Sequence, residues 1–115
     1  MAAANYDLYI EQGATFTLQL VWKDDEGTPI DITGYSARMQ IRRNYGSEPV
    51  ISLADGEGLV LGNTAGTIEI TITDEQTEAI TITSGRYDLE LEFGGVVTRL
   101  IEGLVDISRE VTKDG

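Results

Sequence analysis

Side chains that could do chemistry are few in this chain, and their spacing suits binding better than reaction. Asp24, Asp25 and Glu26 form the densest acidic run, and a hard cation such as calcium needs several carboxylate and carbonyl oxygens around it. The run lacks the spaced D-x-D-x-D-G order of a calcium loop and leads into Gly27-Thr28-Pro29, so it reads as turn chemistry. Asp55 and Glu57, in Asp-Gly-Glu-Gly, read the same way. Asp88, Glu90 and Glu92 could supply paired carboxylates for glycoside hydrolysis, but they alternate with Tyr87, Leu89, Leu91 and Phe93, as a solvated strand face does. With no histidine and no cysteine, the chain lacks the groups that supply most general bases, soft-metal ligands and nucleophiles near neutral pH. The expectation is a non-enzyme with no cofactor and no metal site, acting through surfaces that bind.

The basic residues single out one such surface. Arg38, Arg42 and Arg43 are the only basic cluster in an acidic chain, Arg38 and Arg42 share a strand face with Gln40, and Tyr45 follows closely. Arginine and tyrosine are enriched at protein contacts, so Arg38, Arg42, Arg43 and Tyr45 are the candidate partner-binding residues; the competing reading is that these arginines neutralise acidic neighbours across a sheet. Trp22 continues the face of Phe16, Leu18 and Leu20 and is expected in the core. The glycines stand at turns and never form a phosphate cradle before a helix.

Strands must position these residues, because the apolar period is two. Tyr6, Leu8 and Ile10 mark a first strand to Glu11. Ala14 to Lys23 follows, with Ile30-Asp31-Ile32 as a marginal piece. Ser36 to Arg43 places Ala37, Met39 and Ile41 inward. Asn44 to Pro49 is a loop, and two short apolar pieces, Val50 to Leu53 and Gly58 to Leu61, precede a strand built on Ile68, Ile70 and Ile72. Thr73-Asp74-Glu75-Gln76 matches a capping box and predicts one short helical turn, with Ala79 and Ile80 against the core. Gly94-Gly95 predicts a two-residue hairpin turn in which Phe93 faces Val96 and Glu90 faces Arg99 as an ion pair. Val105 and Ile107 carry the last strand before a polar end at 112–115. Many short strands at this spacing predict an all-β sandwich or barrel.

The 115 residues suit one domain, 1–115, with no internal repeat or linker. Eight Lys and Arg against twenty Asp and Glu give a net charge of −12, which repels a phosphate backbone and predicts no nucleic-acid partner. A hydrophobic content of 41% argues against a disordered acidic tail. No run approaches a membrane span and the amino end has no basic and apolar leader pattern, so no membrane partner or secretion signal is expected.

The run Tyr6-Asp7-Leu8 through Gln12-Gly13-Ala14-Thr15-Phe16 to Leu20-Val21-Trp22-Lys23-Asp24, then Pro29-Ile30-Asp31-Ile32-Thr33-Gly34-Tyr35-Ser36-Ala37-Arg38-Met39-Gln40-Ile41-Arg42, resembles small tailed-phage and prophage proteins encoded among virion structural genes. Gly66-Thr67-Ile68, the Thr73 to Ala79 turn, Tyr87-Asp88-Leu89-Glu90-Leu91 and Arg99 to Ser108 match as well. The chain is also similar to the amino-terminal domain of phage baseplate upper proteins, which continue into a long fibre-like part with no counterpart here. The resemblance implies an immunoglobulin-like antiparallel β-sandwich. It further implies a non-catalytic virion component of the neck, tail, baseplate or head surface, made in the host cytoplasm, whose partners are other virion proteins and copies of itself. The alternative is a stand-alone adhesion or carbohydrate-binding module, for which Tyr9, Tyr35 and Tyr45 are the candidate exposed aromatics; the virion reading calls for no small-molecule substrate.

Overall fold

The computed structural model describes residues 3–111 and is all-β, apart from two short helical turns. The strands are β1 (Ala4–Asn5), β2 (Leu8–Glu11), β3 (Phe16–Val21), β4 (Ser36–Arg42), β5 (Pro49–Asp55), β6 (Gly58–Leu61), β7 (Thr67–Ile72), β8 (Ser84–Phe93) and β9 (Val96–Ser108). They follow the order β1-β9-β8-β4-β5-β6-β7-β3, with β2 also beside β9. β1/β2, β9, β8, β4 and β5 form one layer and β6, β7 and β3 the other, bridged by a short parallel pairing of Ala54 with Gly58 and Asp55 with Leu59. In the lettering of immunoglobulin domains, β3, β7 and β6 are B, E and D, and β4, β8 and β9 are C, F and G, with β5 as the added C′ strand. The chain is therefore an immunoglobulin-like β-sandwich. Its first strand lies parallel to β9, whereas the constant-type domain puts that strand beside B.

The core follows from the period. Met39 and Ile41 on β4, Ile68, Ile70 and Ile72 on β7, Leu89 and Leu91 on β8 and Val105 on β9 have no exposure at all, and β-branched or γ-branched side chains at every second residue pack well on a pleated surface. Gly94 and Gly95 both take positive φ, 59° and 83°, and Phe93 faces Val96 as expected. The capping box is also present: Thr73 Oγ1 accepts from the Gln76 N–H at 3.1 Å and Gln76 Oε1 accepts from the Thr73 N–H at 2.9 Å. It starts helix α1 (Asp74–Glu78). Ile80 is buried behind it, but Ala79 is exposed and Thr77 takes the inward place instead.

Thr77 is there for its hydroxyl. Its Oγ1 accepts from the Gly13 N–H at 3.0 Å and donates to the Ala14 carbonyl at 2.9 Å, so one fully buried side chain satisfies both backbone groups of the corner between β2 and β3. Thr77→Val keeps the shape and orphans both, which is expected to cost about 1–3 kcal/mol in a denaturant melt; a change under about 0.5 kcal/mol would mean that water replaces the hydroxyl.

Several expectations are corrected. The first strand is broken at Tyr6 and Asp7, where the Asp7 carboxylate accepts the Leu104 N–H at 2.9 Å in place of a backbone carbonyl, and Tyr6 is 47% exposed. Gly103 lies under this break, and a Cβ there would strike the Tyr6 carbonyl. Trp22 falls one residue past the end of β3 and is half-buried, edge-on to Tyr35 with ring centroids 6.0 Å apart. Trp22 nonetheless packs against the core together with Phe16, Leu18 and Leu20, whereas Phe93 lies at the surface, 52% exposed and stacked on Tyr35 at 4.9 Å. Ile30-Asp31-Ile32 is not a strand, although Ile32 is fully buried. The piece expected at Val50 to Leu53 extends over all of β5. The polar end at 112–115 lies outside the described residues.

Candidate partner-binding face

The sequence-marked arginines lie on the outer face of the larger sheet, where β4, β8 and β9 run side by side. Because Ala37, Met39 and Ile41 turn inward, Arg38, Gln40 and Arg42 turn out. The register sets them against β8 as Arg38 with Glu90, Gln40 with Asp88 and Arg42 with Arg86. On the far side of β8, Glu90 stands opposite Arg99 and Asp88 opposite Glu102. A register shift between Leu89 and Glu90 brings Arg99 and Glu102 to the same face, close enough for a 3.2 Å ion pair.

The ion pairs divide this face. Arg38 Nε binds Glu90 Oε1 at 2.8 Å, and its guanidinium lies 3.9 Å from Glu92. Arg99 is taken by Asp88 at 3.6 Å and by Glu102. Glu90 thus faces Arg99 in the register, as expected, but its ion pair is with Arg38, which reaches it across the other strand boundary. Burial, and then the charge of Glu90, push the Asp88 carboxyl above its usual range, while Arg99 pulls the other way. Arg38 thus neutralises acidic neighbours across the sheet while more than half of its side chain stays exposed. These pairs are largely exposed, and exposed pairs contribute about 0–1 kcal/mol.

At the other end the charges are not cancelled. Arg42 and Arg86 stand opposite each other in the ladder, and neither makes an ion pair among the described residues. Arg42 donates to the Gln40 side chain at 2.8 Å and to the Ser47 carbonyl, which pins the 44–47 loop; Asn44 Oδ1 closes that loop by accepting from Ser47 Oγ at 2.7 Å. The loop holds Tyr45 out into solvent at 82% exposure, with the Arg86 guanidinium 5.1 Å from its ring centroid. Arg42, Tyr45 and Arg86 line one end of an open groove of about 510 Å³ whose other end holds Asp88, Glu90, Arg99 and Glu102.

Of the four sequence-marked residues, Arg42 and Tyr45 meet in this groove, Arg38 is committed to Glu90, and Arg43 is exposed and does not line it. Arg86 was missed. It sits beside Gly85 with no basic neighbour in sequence, and only the pairing of β4 with β8 brings it to Arg42. The acidic residues of the Asp24 turn do local work: Asp24 Oδ1 accepts from the N–H groups of Glu26 and Thr28 at 2.9 and 3.0 Å. The three tyrosines of the carbohydrate-binding alternative do not make one platform, since Tyr9 projects from β2, Tyr45 from the 44–47 loop, and Tyr35 is stacked on Phe93 and met edge-on by Trp22. Among the described residues, no helix is long and apolar enough to cross a membrane.

No family model and no curated protein matches the chain. Among solved structures, one described as "Structure-based site-directed photo-crosslinking analyses of multimeric cell-adhesive interactions of VGSC beta subunits" is similar at 10% identity, covering 94% of this chain and 93% of that one with a TM-score of 0.49. The immunoglobulin-like assignment rests on the strand order itself.

Proposed function

We propose that the chain is a non-catalytic structural component of a tailed-phage virion, in the neck, tail or baseplate or on the head, and that it holds a neighbouring virion protein through the Arg42, Arg86 and Tyr45 end of its groove. The virion setting is supported by the resemblance carried along the sequence. The contact is supported by one observation above others: in a chain of net charge −12, two arginines without ion-pair partners among the described residues flank a tyrosine that is 82% exposed. Arginine binds carboxylates through two parallel hydrogen bonds and tyrosine adds rigid apolar area, so an acidic surface or segment of a neighbour is the fitting partner.

Mass spectrometry of purified particles tests the setting, which requires the chain in stoichiometric amounts and fails if it is absent. Arg86→Glu combined with Tyr45→Ala tests the contact. Both side chains are exposed, so the variant is expected to fold with a wild-type circular dichroism spectrum and to enter particles at a tenth of the wild-type level or less, the loss of about 1.4 kcal/mol or more that a single anchoring residue carries. Wild-type incorporation of the folded variant would move the contact elsewhere.

A further inference from the structure

The smaller sheet ends in a strand that no other described strand covers. β3 closes the path of strands, with β7 on one side only. The Trp22 N–H bonds the Gly66 carbonyl, and bonded and non-bonded residues alternate along an antiparallel pair. Phe16, Leu18 and Leu20 therefore direct their backbone groups at β7, and Thr17, Gln19 and Val21 direct theirs outward. Among the described residues no strand or turn pairs with them.

Natural sheets protect such an edge with charge, proline or a bulge. Phe16-Thr17-Leu18-Gln19-Leu20-Val21 has none of these and pairs with β7 in unbroken register. Its apolar side is also unfinished: Phe16, Leu18 and Leu20 are half-buried, although the isoleucines they face on β7 are fully buried. The outer face of this sheet is nearly neutral, with Thr17, Gln19, Val21, Val60, Thr67 and Thr71 around Glu69. That contrasts with the charged face of the larger sheet. Two copies of a chain with net charge −12 repel each other, and β3 itself brings no charge to a contact.

We propose that two copies of the chain pair antiparallel through β3 about a twofold axis at Gln19. Thr17 then stands opposite Val21 of the partner subunit and Gln19 opposite Gln19 of the partner subunit, so every outward N–H and C=O of the strand is bonded. Leu18 meets Leu20 of the partner subunit on the apolar side. The contact is isologous and closes at two copies, and the joined sheets run continuously from one β6 to the other. The self-matching of three uncharged residues about a central one favours a second copy over an unlike strand. This pairing is independent of the Arg86 contact, which lies on the other sheet, and either can fail alone.

Sedimentation equilibrium of the whole chain tests it. The expected result is a monomer–dimer equilibrium that tightens with added salt, because screening removes like-charge repulsion. Gln19→Pro removes an N–H that β7 does not use, and Gln19→Glu sets two like charges face to face at the axis, each beside Glu69 on its own β7. Each is expected to weaken the dimer by about tenfold or more, and the Gln19→Glu variant, whose side chain lies in solvent, serves if the proline variant does not fold. A wild-type chain that stays monomeric at about 1 mM overturns the proposal. So does a dimer that loosens with salt, or one that the folded Gln19→Glu variant leaves unchanged.

Discussion

Leu89→Ala is expected to lower the unfolding free energy by about 2–5 kcal/mol, the range for a large-to-small change in a core that relaxes only partly. Leu89 has no exposure and stands in the middle strand of the larger sheet, with Met39 on one side and Ile101 on the other. It also sits two residues after Tyr87, the place where antibody domains carry the second cysteine of their inter-sheet disulfide. This chain has no cysteine, so packing alone must hold the layers together at that level. Urea unfolding followed by circular dichroism measures the loss. A cost below about 1 kcal/mol would mean that the two layers close over the missing side chain.

Tyr87→Ala is expected to cost about 3–5 kcal/mol, since it removes a buried aromatic ring together with a tie between distant parts of the chain. The Tyr87 hydroxyl donates to the Tyr6 carbonyl, holding the break between β1 and β2 onto the sheet. Tyr87→Phe isolates that bond and should cost about 1 kcal/mol. Burial first, and then the charge of Asp7, push the phenol above its usual range. The folded state thus holds the proton more tightly than the unfolded state does. Stability from this group is fully present below the ordinary tyrosine pKa of about 10 and is lost as pH rises from there toward the higher value of the folded state. Tyr87→Phe should flatten that alkaline decline; an unchanged pH profile between wild type and variant would assign the decline to other groups.

Much of the sandwich was legible because period two needs only local information. The faces of β4 and β7, the Gly94-Gly95 hairpin and the Thr73 capping box each depend on residues within a few positions of one another. What failed depended on distant segments. Trp22 and Phe93 extend correct alternations, but the alternation does not say how completely each position is covered: Trp22 packs against the core half-buried, and Phe93 stands at the surface. Thr77 takes the inward place expected for Ala79 because two backbone groups at Gly13 and Ala14 need its hydroxyl. The candidate site divided in the same way: Arg42 and Tyr45 are close in sequence and were read together, whereas Glu90 as the partner of Arg38, and Arg86 as the neighbour of Arg42, depend on a strand pairing that spans half the chain.

The parallel placement of the first strand on β9 also has a mechanical meaning. Ala4 lies level with Ile101 and Glu11 with Ser108, so the segments flanking β1 and β9 leave the sheet in opposite directions along the strand axis. Tension applied through them would slide one strand along the other, loading the bonds of that ladder together in shear instead of opening them one by one. A domain built this way resists being stretched end to end far better than being peeled.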